Sequence, residues 1–281
     1  MSDDDSVLST ILGLKEAEET PDLFTAPSQL MPHGRIYGGQ IIAQASLAAM
    51  RTVPQDRAAH SLHGYFLRSG DMTQPIDYHV DRLMDGRSIS HRRVLGTQNG
   101  NIVWSSILSF QVEDPAAAAH QIDAPDVPGP DELPEPPADR MRAAAESVFE
   151  VRRVLGEAAA GLGGAQQGRL AMWLRSDSPM PDDDLPFHQA ALAYASDFAL
   201  FMPVLDLHGY TLQTPGIKVT SLDHAMWWHR PVRADEWILM VQDAPQSGNS
   251  RGLCSARFYT QAGELVGTVA QEVMVRVPAA A

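Results

Sequence analysis

Two short stretches, TQNGNIV from Thr97 and TQAGELV from Thr260, share the pattern Thr-Gln-x-Gly-x-(Ile/Leu)-Val at an offset of 163 residues. Both lie between strand-like runs, so one hairpin occurs twice, and a chain that repeats itself builds two copies of one structural unit. The flanking segments agree. The first half has an alanine-rich helix, GGQIIAQASLAAM from Gly38, then strand-like runs near 60–69, 76–84, 88–97 and 102–112. The second half has a helix near 187–201, FHQAALAYASDFALF, then runs near 217–229, 235–244, 250–260 and 265–277. A fainter pair, HGYFLRSG from His63 and HAMWWHRP from His224, puts the two histidines at matching repeat positions, offset by 161. The runs are rich in β-branched and aromatic residues, with Asn-Gly and Gly-Asn pairs at the turns.

Small side chains let a sheet approach a helix closely. Each half therefore predicts an α+β unit in which a long helix is wrapped by an antiparallel meander. That is a hotdog fold, and two in tandem make a double hotdog. The seam between them is chemically distinct. Residues 113–139 hold eight acids, no base and seven prolines, a composition that predicts an exposed linker without a core. The expected division is an N-terminal repeat over 1–113, an acidic linker with a connecting helix over 114–166, and a C-terminal repeat over 167–281. The helix-like part of the connection is RMRAAAESVFEVRRVLG, and a short helix is also expected within 6–19.

The linker explains the net charge of −14. Residues 1–22 contribute −6 and residues 113–139 contribute −8, leaving 20 acids and 20 bases elsewhere. The acidity is thus confined to the N-terminal segment and the joint. It argues against nucleic acid as a partner but permits a local pocket for an anionic small molecule. No apolar run reaches 18 residues, so no membrane insertion is expected. The acidic start, MSDDDSVLST, is unlike a signal peptide, and VRVPAAA is unlike a Ser-Lys-Leu peroxisomal address. A single cysteine, Cys254, excludes an internal disulfide;. A cytoplasmic location is expected.

Several motifs fail on context. GNSRG, from Gly248 to Gly252, matches a hydrolase elbow, but LCSARFYT after it alternates like a strand, so Ser250 belongs to a hairpin rather than a strand-to-helix turn;. GLGGAQ from Gly161 lacks the strand and acidic partner of a dinucleotide site. Cys254 reads as a small core residue. The ten histidines show no tight ligand spacing, so neither a metal nor a cofactor is expected;.

Three polar positions stand among apolar neighbours. Asp197, within YASDFALF, is either on a solvated helix stripe or deliberately buried, and periodicity alone favours a solvated face or a helix-end acid;. Ser221 opens SLDHAMWWH, and Gln271 interrupts LVGTVAQEVMVRV; both are compatible with ordinary structural roles.

The segments GGQIIAQA (38–45), HSLHGYFLRSGD (60–71), DGRSISHRRV (85–94), YASDFALF (194–201), SLDHAMWWHRP (221–231) and QEVMVR (271–276) occur in an order that resembles the acyl-CoA thioesterase II, or TesB-like, family. The resemblance covers the chain from about residue 23, apart from the connector around 114–166. It implies a double hotdog that hydrolyses fatty acyl-CoA to fatty acid and coenzyme A, with catalytic Asp197, Ser221 and Gln271. Ser221 stands where the bacterial prototype has threonine, so the hydroxyl is kept. Asp197 would take a proton from water while Ser221 and Gln271 orient that water.

Around this set, the turn Gly38-Gly39-Gln40 is a candidate oxyanion donor or else a plain tight turn. Arg87, Arg92, Arg93, Arg230 and Arg233 are candidates for coenzyme phosphates. Met226, Trp227 and Trp228 are candidate tunnel residues, with one tryptophan expected in the core. His63 is kept as a candidate near the substrate, and His224 reads as structural. A hotdog hydratase or dehydratase is an alternative, disfavoured because no histidine follows Asp197 closely. A non-catalytic acyl-CoA-binding protein is another, disfavoured by the intact polar trio. Hotdog sheets commonly pair edge to edge, so a homodimer or homotetramer is expected.

Overall fold

A computed structural model describes residues 6–31, 34–114, 116–135, 147–162 and 168–277. In its first half a short α1 (Val7–Ile11) leads to β1 (Lys15–Glu16) and β2 (Leu23–Ala26). Helix α2 (Gly38–Met50) follows, then the meander β3 (Arg57–Phe66), β4 (Ile76–Asp85), β5 (Ile89–Gln98) and β6 (Asn101–Val112). The second half begins with β7 (Phe149–Val154) and β8 (Arg169–Ser176), then α3 (Leu185–Ser196) and α4 (Met202–Leu207). It ends with β9 (Lys218–Ser221), β10 (Asp223–Trp228), β11 (Ile238–Gly248), β12 (Arg251–Thr260) and β13 (Leu265–Arg276).

The strands form one antiparallel sheet in the order β1-β2-β4-β5-β6-β3-β10-β13-β12-β11-β8-β7, with β9 on β13. Outward from the β3–β10 seam, β6-β5-β4 on one side mirrors β13-β12-β11 on the other. This is the double hotdog that the repeat implied. At the seam His63 pairs with Ala225 and Leu62 with Met226, so the two halves share one continuous sheet.

The helices lie against each other on its inner face. In α2 every residue from Gly39 to Met50 is buried, which explains the alanines. Its polar members are satisfied: Gln44 donates to the carbonyls of Ile11 (2.6 Å) and Pro27 (2.9 Å) and accepts from the Tyr78 hydroxyl (2.7 Å). Asp184 caps α3 by accepting from the Phe187 N–H at 3.0 Å;. Gly39 sits where a Cβ would overlap the Tyr194 carbonyl of α3. Only glycine permits this crossing.

Three expectations change. The helix within 6–19 is confined to α1, because the chain turns after Leu12 and Lys15–Glu16 pairs with β2. The helix-like stretch RMRAAAESVFEVRRVLG begins outside the described residues, and its second part is the edge strand β7, paired with β8. Phe149 and Val151 face the main core while Val154, three residues on, is buried on the opposite face, so the strands of the second half start inside the 114–166 connector. That connector is also not merely exposed. Pro130 and Leu133 are buried, Leu133 joins a second apolar cluster with Trp173, Trp237, Leu239, Val241 and Tyr259, and the Trp173 indole donates to the Pro128 carbonyl at 2.9 Å. The acidic segment covers the outer face of the second half. The GNSRG hairpin is as expected: Asn249 and Ser250 both have positive φ between β11 and β12;.

Candidate active site

Asp197 ends α3 as its C-cap, where the crossing of α2 brings the N-terminus of that helix against it. The Gly39 N–H donates to Asp197 Oδ2 at 3.1 Å, a helix N-terminal amide holding a carboxylate. From the sheet, Gln271 Nε2 donates to Asp197 Oδ1 at 2.9 Å and to Ser221 Oγ at 2.9 Å. The structure thus brings together Asp197, Ser221 and Gln271, which are 24 and 50 residues apart along the chain. Of the two readings open for Asp197, burial is the right one: it is 8% exposed.

Burial dominates its electrostatics. Desolvation pushes the Asp197 carboxyl up to about 6, although hydrogen bonds from Gln271, Gly39 and Ser221 favour the charged form;. A carboxylate in this range is poised to exchange protons near neutrality.

The strand bearing Ser221 is broken to make this arrangement. In β9 Ser221 pairs with Val273, whereas in β10 Ala225 pairs with Ala270. The register slips by one residue at Leu222–Asp223, and Asp223 Oδ1 accepts the Glu272 N–H at 2.7 Å. Alternation would place Ser221 and His224 on opposite faces. The slip puts both beside Gln271, because His224 Nδ1 lies 2.6 Å from Gln271 Oε1;. His224 Nε2 in turn lies 2.9 Å from Ser196 Oγ. Sequence reasoning gave His224 a structural place and missed this link. The strand pattern carried no signal for it, because alternation assumes an unbroken register.

The remaining candidates divide. Gly38 is at the site, with its Cα against Asp197 and the Phe66 ring. Gln40 is not: its side chain accepts from the Gln29 N–H (2.8 Å) and donates to the Pro27 carbonyl (3.2 Å), while its N–H donates to the Tyr37 carbonyl. His63 and Trp227 meet edge to face, with ring centroids 5.1 Å apart, and His63 is exposed. Their neighbours Leu62, Met226 and Trp228 are the buried ones, so His63 and Trp227 lie on the outer sheet face, away from Asp197. A one-residue register difference reverses every side chain, and His63 is therefore not the counterpart of His224. Trp228 is the core tryptophan, donating to the Gln189 carbonyl at 3.2 Å.

Four of the five candidate arginines are engaged elsewhere. Arg92 is fully buried and donates to Thr52 Oγ1 (2.9 Å), the Thr52 carbonyl (3.0 Å) and Asp85 Oδ1 (2.8 Å). Arg93 is exposed and paired with Asp81, and Arg233 binds Asp182 and Asp235. Arg230 lies 3.6 Å from Glu264. Arg87 is exposed. Cys254 is buried, pairs in register with Gln271, and has its thiol pushed up to about 12 by burial. Among the described residues no cluster of His, Cys, Asp and Glu could hold a metal ion, and no helix is long and apolar enough to cross a membrane.

Known proteins share this organisation. Residues 26–111 match the family model of the acyl-CoA thioesterase N-terminal domain, and residues 123–275 match that of the C-terminal domain. The chain is 35% identical to acyl-coenzyme A thioesterase 8 of Homo sapiens, over 96% of this chain and 89% of that protein. It is 34% identical to acyl-CoA thioesterase 2 of Haemophilus influenzae, over 96% and 98%. A crystal structure of an acyl-CoA thioesterase II from Mycobacterium marinum superposes with a TM-score of 0.84 at 36% identity, covering 97% of this chain and 99% of that one. The chain belongs to the acyl-CoA thioesterase family and is an acyl-CoA thioester hydrolase.

Proposed function

We propose that Asp197 is the general base of a direct hydrolysis, acting on a water held between its carboxylate and the Ser221 hydroxyl. The observation that carries this reading is the buried Asp197 with its pKa near 6, bonded through Gln271 to Ser221. The water gives a proton to Asp197, and its oxygen attacks the thioester carbon. The tetrahedral intermediate then collapses by breaking the C–S bond. The leaving thiolate takes the proton back from Asp197, yielding carboxylic acid and free coenzyme A. A thiol of ordinary pKa, about 8.5, is more basic than Asp197, so the return step runs downhill.

Gly39 already uses its amide on Asp197, and Gln40 uses its own on Tyr37. Of that turn's amides this leaves Gly38, the first helical residue, as the oxyanion donor, since its N–H has no acceptor within the helix. The substrates are fatty acyl-CoA thioesters, the location is the cytoplasm, and the chain divides into two repeats, the second taking in β7 from within the 114–166 connector. The outer face around Tyr65, Ile107 and Trp227, with Tyr65 and Ile107 exposed, supports a homodimer or homotetramer.

The test is release of free thiol from an acyl-CoA panel of increasing chain length by the purified protein. Hydrolysis by the wild type and its loss in Asp197→Asn are expected. Acyl-CoA bound without thiol release, or full activity in Asp197→Asn, would overturn the mechanism.

A further inference from the structure

The Gln271 amide can sit either way round, and the two orientations have opposite consequences. With Nε2 towards Asp197 and Ser221, it donates to both. Turned over, it would aim its oxygen at a carboxylate. The surroundings of Oε1 decide between them: His224 Nδ1 is 2.6 Å away, and Ser196 Oγ, from the end of α3, is 2.9 Å from His224 Nε2.

We propose that the Ser196–His224 pair is a positioning device that locks the Gln271 amide with its donors aimed at Asp197 and Ser221. The proposal rests on the assignment of Asp197 as the base. Its polarity follows group by group. A charged Asp197 calls for an N–H from Gln271, which turns Oε1 to His224 and places the imidazole proton on Nδ1. His224 Nε2 then accepts from the Ser196 hydroxyl, whose alternative acceptor is the Ala193 carbonyl at 2.7 Å. Burial keeps the ring neutral, pushing His224 down to about 4;. Ser196 of α3 and Gln271 of β13 face the ring, Cys254 of β12 lies beside Gln271, and Asp197 is the charged group beyond it.

The first half supplies an internal comparison. Helix α2 ends at Met50 with Arg51 as its cap, whereas α3 ends at Ser196 with Asp197 as its cap. Leu108 precedes Gln271 by 163 residues, the offset of the repeated hairpin. Opposite Leu108 on the seam strand is Leu62, where the second half has His224 beside Gln271. Met50, Leu62 and Leu108 are all buried and apolar. Serine, histidine and glutamine therefore occur together in the half that has the aspartate, and are absent together from the half that does not. A histidine needed merely to fill the sheet–helix junction would not follow the aspartate in this way.

Nitrogen NMR of labelled wild-type protein at pH 7 reads the His224 tautomer independently of activity. The Nδ1–H form is expected, and an Nε2–H or doubly protonated ring overturns the proposal. Kinetics provide the second arm. His224→Phe keeps a ring and removes the donor; it is expected to lower kcat by about tenfold or more with little change in KM. It should also move the acid limb of the pH–rate profile upward, because Asp197 loses its bond from Gln271. His224→Asn places an amide donor near the Nδ1 position and is expected to restore most of kcat and of the limb. Equal kcat and an unmoved limb in both variants overturn the proposal. Should His224→Phe fail to fold, Ser196→Ala is compared in the wild-type and His224→Asn backgrounds. It should slow only the former, and equal slowing in both overturns the relay. Full activity in Asp197→Asn would instead remove the base assignment, while the tautomer would still report on the amide.

Discussion

Gly38 stands so close to Asp197 that a methyl group on its Cα would lie 2.6 Å from Asp197 Oδ2 and 3.0 Å from the Phe66 ring. The carboxylate cannot simply swing aside, since Gly39 and Gln271 hold both of its oxygens. Gly38→Ala is therefore expected to lower kcat by about tenfold or more through displacement of the base. The gain in helix propensity, about 1 kcal/mol, offsets part of the steric cost. Steady-state kinetics with thermal unfolding separate the two effects. Gly39→Ala, which would collide with the Tyr194 backbone, should instead fail mainly in stability, because neither helix can give way.

Asp197→Asn should reduce kcat by about 10²- to 10⁴-fold, the usual contribution of a positioned base. It also removes the buried charge, although the new side-chain NH2 then faces one of the Gly39 and Gln271 donors and offsets part of that gain;. The folded carboxyl titrates near 6, above its unfolded value of 3.8. The native state thus holds the proton more tightly, and the wild type loses stability as pH rises from about 4 to about 6. Above that window the buried charge costs about 3 kcal/mol, which asparagine avoids. His224 works in the opposite sense: its depressed pKa of about 4 removes stability as pH falls below 6.5;. The two slopes nearly cancel in the wild type between pH 4 and 6. Denaturant unfolding of the variant across that range should uncover the histidine slope, and a variant curve parallel to the wild type would refute this balance.

The pH dependence of kcat/KM should show an acid limb near 6, with activity rising as Asp197 loses its proton;. Ser221→Ala removes a hydroxyl that favours the charged carboxylate, and should move that limb upward as well as lowering kcat. A limb near 4 would mean that Asp197 is far better solvated than its burial indicates.

Much of this was legible in the sequence because it depends on local pattern. The repeated Thr-Gln-x-Gly hairpin, the alanines of α2 and the alternating strands each report their own environment, and the meanders follow. The acid at 197 was visible, but its burial depends on the crossing of α2, a contact between residues 158 apart. The slip at Leu222–Asp223 was hidden for a related reason. Alternation assumes regular pairing, so it cannot show that Ser221 and His224 share a face. Strand β7 was obscured because Arg152 and Arg153 mimic a helical surface; Arg152 instead pairs with Glu150 and Glu135. The arginines show the same limit. Charge composition gives their number, but only partners on other strands reveal whether they are free to meet a ligand.

Arg92 tests that last point directly. Its guanidinium is completely buried and donates to Thr52, Asp85 and the carbonyls of Met84 (3.2 Å) and His91 (3.0 Å). Its place in the fold also mirrors the active half: Arg92 pairs with Leu108 as Cys254 pairs with Gln271. The guanidinium thus ties the end of α2 to the sheet. Asp85 is 47% exposed, so solvent screens the ion pair and the loss in Arg92→Ala would come mainly from stranded acceptors and a cavity. About 2–4 kcal/mol is expected, seen as a lower unfolding midpoint. The KM for acyl-CoA should stay unchanged in the folded fraction. A phosphate-binding role would give the reverse, a raised KM with little loss of stability. Arg93→Ala removes an exposed pair with Asp81 and should change stability by less than about 1 kcal/mol;.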